Sequence, residues 1–139
     1  MEKNPIPQGK YIPAKKSQNL IFSAGMTPRL DGKLIIEGRI MLSDDINKFR
    51  DGVRQAAKNA LVAIKNTLED NQEIDSIVTM TVYVNAEEGF TSHSKIADFA
   101  SDYIVENLGD IAICSRAAIG VYSLPGNAPV EVQLVVSYH

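Results

Sequence analysis

Over residues 44–70 apolar side chains recur in steps of three and four, at Ile46, Phe49, Val53, Ala57, Ala60, Ile64 and Leu68. With 3.6 residues per turn they fall on one stripe of a long helix, and a single stripe needs a surface to cover. Ser43 or Asp44 is placed to cap its first amides, Asp44 and Asp45 suit the positive end of its dipole, and Asn71 offers a left-handed exit. The surface follows in the chain. Residues 77–84 alternate, with Val78, Met80, Val82 and Val84 pointing one way and Ile77, Thr79, Thr81 and Tyr83 the other, as in a strand with one fully apolar face.

A second helix is predicted over 91–108, capped by Thr91, ended by Gly109, and turning Ile96, Phe99, Tyr103 and Ile104 inward. Residues 19–24 read as a strand stopped at Gly25, and a turn at Leu30-Asp31-Gly32 leads into 33–36, which can pair with it as an early hairpin. Two closing strands follow at 116–122 and 130–137, separated by Pro125 and Gly126, which read as turn formers. Strand, helix, strand order implies right-handed crossovers and an α/β (α+β) domain, a sheet with both helices on one face. With no repeat or low-complexity tract, residues 1–139 form a single domain with a loose start at 1–9.

Regular alternation would give the other face Thr79, Thr81 and Tyr83, then Arg116, Ala118, Gly120 and Tyr122, then Glu131, Gln133 and Val135. That surface holds more aliphatic and aromatic area than a solvated face needs, so it is expected to meet other copies of the chain. A net charge of -3 argues against a general nucleic-acid binder, which needs an excess of Lys and Arg. No apolar run reaches the ~20 residues of a membrane span, and the N-terminus lacks the apolar core of a signal peptide. One cysteine, Cys114, excludes an internal disulfide, so a cytoplasmic setting is the default. With only two histidines, a site of His and Cys metal ligands is not expected.

The chemistry lies in the closing segment, where Arg116 and Glu131 stand on neighbouring strands. Arginine offers a planar fork of donors that stays charged and matches a carboxylate. A glutamate at an interface would have its pKa raised towards the range useful for proton transfer. From spacing alone, however, such a pair is more often a structural ion pair than a catalytic couple.

Arg116, then Leu124-Pro125, then Val130-Glu131-Val132 resemble the closing motif of the RidA/YjgF family of imine deaminases. Upstream, Asn19-Leu20-Ile21-Phe22-Ser23-Ala24-Gly25-Met26-Thr27-Pro28 is similar to that family's first strand, and Gly9-Lys10-Tyr11 resembles its Gly-Pro-Tyr. The resemblance spans nearly the whole chain. It implies a chorismate-mutase-like fold and a homotrimer, with the uncovered sheet face towards the trimer interior and clefts between subunits. It also implies hydrolysis of 2-imino acids to 2-keto acids and ammonia without cofactor. By position, Arg116 would hold the substrate carboxylate, Glu131 would activate water, Gly25 would contact the ligand through its backbone, and Tyr11 would shape the pocket. The alternative is a trimer that binds a 2-keto acid or similar carboxylate without turnover. An RNA-cleaving role, also attached to the family, has no paired histidines or basic balance to support it.

Two positions depart from the family. Ala118 stands where a cysteine is common, and Ala24 where a hydroxyl residue is common, so two polar contacts of the binding site are lost. Cys114 is expected to be a small core or interface residue rather than a replacement thiol. His93 is expected to face solvent, and His139 to be a mobile tail.

Overall fold

The computed structural model describes residues 2–139. Its strands are β1 (Ala14–Ser17), β2 (Leu20–Ser23), β3 (Arg29–Leu30), β4 (Lys33–Leu34), β5 (Ile74–Asn85), β6 (Ser115–Val121) and β7 (Val130–Tyr138), and its helices are α1 (Arg50–Thr67) and α2 (His93–Leu108). Five strands form a mixed sheet in the order β1-β2-β7-β5-β6, parallel only between β5 and β6. β3 and β4 make a separate two-stranded ribbon.

Both helices lie on one face of this sheet. Val130, Val132, Leu134 and Val136 of β7, Met80, Val82 and Val84 of β5 and Ile21 of β2 are buried there. Opposite them α1 buries Val53, Ala56, Ala57, Ala60, Leu61, Ala63 and Ile64, and α2 buries Ile96, Ala97, Ala100 and Ile104. The alanines let the helix backbone approach the strands closely, and a core of this kind is packed to near-crystalline density. Where the helices meet, Arg54 of α1 reaches Glu106 of α2 at 2.6 Å and lies over the ring of Tyr103.

The apolar stripe expected over 44–70 is the buried face of α1, but the helix is shorter at both ends. Residues Ile46–Phe49 form a 3-10 turn, begun by Asp45, whose carboxylate accepts from the amide of Asn47. At the other end Leu68 is already extended, so Asn71 does not form the exit. α2 begins at His93 after Ser92 rather than from a Thr91 cap, while Gly109 ends it at φ 71 as expected. The expected hairpin of 19–24 with 33–36 does not form. β2 pairs instead with β1, which no alternation of apolar residues announces, and with β7.

In β5 a bulge between Ile77 and Thr79 breaks the alternation, burying Ile77 and leaving Val78 42 % exposed. The N-terminal segment is anchored on α1, where Lys58 pairs with Glu2 and Asn66 donates to Asn4 and to the Glu2 carbonyl. His139 is likewise tied in: its backbone exchanges two hydrogen bonds with Glu73 and its ring meets Asp75. No helix of the described residues is long and apolar enough to cross a membrane.

Asn59 fastens the turn after β2 to α1. Its buried amide donates to the carbonyls of Thr27 and Arg29 at 3.1 and 2.8 Å and accepts from Gln55 at 2.9 Å. Truncation would strand two carbonyls near the helix. Asn59→Ala is expected to lower the unfolding free energy by about 1–3 kcal/mol, read as a shifted midpoint in urea denaturation.

Candidate functional site

Away from the helices, the sheet carries Thr79, Thr81 and Tyr83 of β5 beside Gln133 and Glu131 of β7, as their register requires. Phe22 of β2 stands beside Val135 on the same face and is 40 % exposed. At one corner of this face an open cleft of about 710 Å³ is lined by Glu131, Gly25, Ala24, Tyr11, Phe22 and Pro125, with Lys15 as its basic side chain. Glu131, Gly25, Ala24 and Tyr11, expected together, are together.

Gly25 and Glu131 are in close approach. A Cβ on Gly25 would lie 2.8 Å from the Glu131 carboxyl carbon, so only glycine leaves the carboxylate its place beside the backbone. Gly25 has no left-handed φ, so this approach, rather than a turn, is what requires it. Tyr11 is held by its own segment: its hydroxyl accepts from the Gln8 amide at 2.9 Å. The ring forms a wall of the cleft while remaining 46 % exposed. Burial pushes the Glu131 carboxyl above its ordinary value, because the apolar surroundings disfavour its charged form.

Arg116 stands elsewhere. Parallel pairing sets it beside Met80, whereas Glu131 pairs with Tyr83, so arginine and glutamate project from opposite faces of the sheet. The expectation that Arg116, Ala118, Gly120 and Tyr122 share the open face is therefore corrected. Ser115, Ala117 and Ile119 are the residues of β6 that continue it. At the β6 edge the Arg116 guanidinium donates to Asp98 at 2.8 Å, to Ser101 at 2.9 Å and to the Ser94 hydroxyl at 2.7 Å, all on α2. Ala118 packs against the core on that side. Tyr122, past the strand, is 86 % exposed beneath Arg39. One chain thus holds two half-constellations, Glu131 with Gly25 and Tyr11, and Arg116 with α2.

His93 is partly buried rather than solvent-facing. It packs edge-on to Phe90, and its ring occupies the space that a Cβ on Gly120 would need. Cys114 is half-buried against the core as expected, and burial raises its thiol pKa, which keeps it protonated. Lys15 and Phe22 were missed as cleft residues. Their cross-strand pairing brings them to one face, and β1 has no apolar periodicity that would reveal it.

The sequence model of the family described as Endoribonuclease L-PSP matches residues 1–138. The chain belongs to that family, the RidA/YjgF family. Among curated members, Protein TCP17 of Trypanosoma cruzi is 28 % identical over 131 residues, covering 94 % of this chain and 82 % of that protein. A RutC family protein of Aquifex aeolicus is 25 % identical over 135 residues, 96 % of this chain and 92 % of its own length. Of solved structures, Atu1372 from Agrobacterium tumefaciens, described as of unknown function, gives a TM-score of 0.85 at 27 % identity, covering 93 % of this chain and 83 % of that one. The YjgF gene product of Escherichia coli gives 0.65 at 17 % identity over 96 % of this chain and 92 % of its own, a likeness of fold. The RidA/YjgF fold is thus the mixed sheet and helix pair described above.

The raised Glu131 pKa sets a sign for stability. Well below the ordinary carboxylate range the group is neutral in folded and unfolded chains alike, and its relative contribution is intact. As pH rises through the raised folded value the proton is released more readily from the unfolded chain, and that contribution is lost. Glu131→Gln should therefore gain melting temperature relative to the wild type on going from about pH 3 to about pH 7. A difference independent of pH in thermal scans would contradict the buried carboxyl.

Proposed function

We propose that this member of the RidA/YjgF family hydrolyses 2-imino acids to 2-keto acids and ammonia in a cleft completed by a second copy of the chain. The observation that carries the reading is the half-buried Glu131, its pKa raised by desolvation, set against the backbone of Gly25 in a cleft that the Tyr11 ring also lines. Such a carboxyl holds its proton more tightly than a solvated one and can exchange it with a bound water. It lacks a carboxylate anchor from its own chain. Arg116, at the opposite edge of the sheet and 21 % exposed in its side chain, suits that part if the edge of one copy meets the open face of the next.

In this reading the substrate carboxylate takes the Arg116 fork by displacing part of its contacts to Asp98 and the two serines of α2, which hold the guanidinium in the free chain. Water held by Glu131 adds to the imine carbon and the C=N π electrons move to nitrogen. Proton transfers through the carboxyl then convert the amino group to –NH3+ and take the proton from the added hydroxyl, so the C–N bond breaks with its electron pair on nitrogen, releasing neutral ammonia as the C=O bond forms. Water is consumed and ammonia released, with no oxidant or reductant. The cleft orients the addition and relays the proton. The exposed Phe22 and Ile119 on the open face support self-association, with a homotrimer as the proposed assembly. The mostly apolar lining of the cleft, with Phe22, Ile12 and Pro125, supports a substrate with an aliphatic side chain; a cytoplasmic setting is part of the same proposal.

The description endoribonuclease would call for a general acid and base acting on RNA. His93 packs at Gly120, beside the Val84 end of β5, and His139 pairs near Ile74 at the other end, so one chain does not bring its histidines together. A non-catalytic carboxylate trimer is the second reading. It is favoured by Ala24 and Ala118, which bring no hydrogen-bonding side chain to either half-site.

The test generates 2-iminobutanoate in place with an amino-acid dehydratase and follows 2-ketobutanoate. The wild type is expected to accelerate its appearance, with Arg116→Ala and Glu131→Gln each losing about 100-fold or more. No acceleration by the wild type sinks the deaminase reading. If 2-ketobutanoate then raises the melting temperature in an Arg116-dependent way, binding replaces turnover. Independently, sizing chromatography should give three times the 15.2 kDa of one chain, and a monomer would contradict the shared cleft.

A further inference from the structure

Behind the Glu131 cleft lies a second cavity of about 290 Å³, and the two share Tyr11 and Gly25 as a common wall. It sits between the N-terminal segment and the turn that follows Gly25, and Arg29 lines it. The arginine is half-buried and forms no ion pair among the described residues. One guanidinium nitrogen, Nη1, donates to the Gly32 carbonyl at 3.0 Å. Its Nε is buried with no hydrogen-bond partner. Nη2 lies 2.8 Å from where a Cβ on Gly126 would stand, so glycine at that position leaves the guanidinium its room.

Arginine remains charged at every working pH, and a buried charged donor without an acceptor is costly. The Nε is closed off, but Nη2 forms no hydrogen bond and is not buried, and the residue lines the cavity. Of the charged residues on the wall, Lys3 and Arg29 are basic and Asp31 alone is acidic, and Asp31 forms no ion pair with the arginine. Ile6, Met26 and Leu30 make part of the wall apolar.

We propose that this cavity is a binding site for a short-chain carboxylic acid, its carboxylate on Arg29 and its hydrocarbon part against Ile6, Met26 and Leu30. The volume is that of roughly ten water molecules at ~30 Å³ each, which suits a small acid and excludes a nucleotide. A carboxylic acid fits better than inorganic phosphate, because its hydrocarbon part can cover Ile6, Met26 and Leu30, which phosphate cannot. The site adjoins the Glu131 cleft through the shared Tyr11 and Gly25, but its anchor, Arg29, takes no part in the Arg116–Glu131 chemistry.

Titration of the full-length, nitrogen-15-labelled protein with sodium butanoate tests the assignment. Saturable shifts are expected at the amides of Thr27, Arg29 and Gly32, with butanamide and inorganic phosphate giving none there. Arg29→Gln should weaken butanoate binding about tenfold or more. Arg116→Ala should leave this set of shifts unchanged and remove only those arising in the Glu131 cleft, so failure of one site is read separately from failure of the other. The proposal is overturned if the turn residues do not respond in the wild type, if butanamide shifts them equally, or if folded Arg29→Gln binds as tightly. Should Arg29→Gln fail to fold, the wild-type shift map decides by itself.

Discussion

The contact between the alanine-rich face of α1 and the apolar face of β7 and β2 governs the rest of the molecule. Small side chains bring the helix backbone close to the strands, and α2 fills the remaining width over β5 and β6. Two helices on one side leave the other side of a five-stranded sheet without cover from its own chain. Every property of the cleft descends from this asymmetry. Glu131 is on β7 because β7 is central, and it points outward because its neighbours Val130 and Val132 point in.

A carboxylate on such a face would ordinarily be solvated and uninteresting. Here the chain leaving β2 passes over it at Gly25, and the segment before β1 places Tyr11 at its side. Desolvation by burial, rather than a charged neighbour, is what raises its pKa. A glycine is required because the approach is closer than a Cβ permits. The same turn is fastened to α1 by Asn59, so the core helix and the position of Gly25 are mechanically linked.

Arg116 shows the converse. Its partners are three side chains of α2, and its strand is the sheet's edge, so the guanidinium is held at the rim of the molecule rather than inside a site of its own. The separation of Arg116 from Glu131 within one chain is what makes a single copy an incomplete site under the proposed chemistry.

The helices, the long strands and the one-sided sheet were legible because they rest on periodicity: seven apolar residues at helical spacing, and alternation through Val130, Val132, Leu134 and Val136, admit few folds. The grouping of Tyr11, Ala24, Gly25 and Glu131 was legible through resemblance alone, since no spacing rule joins residues over a hundred positions apart. Alternation misassigned Val78 and Arg116. A bulge shifts one residue's parity and a parallel register sets the absolute facing of a strand, and neither is encoded in a strand's own sequence. β1 was invisible because a Lys-rich edge strand keeps its identity through backbone pairing. Local pattern therefore determined which elements form and which side each must bury. Pairing between distant segments alone decided which charged groups meet, because hydrogen-bond register across the sheet is a property of two strands together.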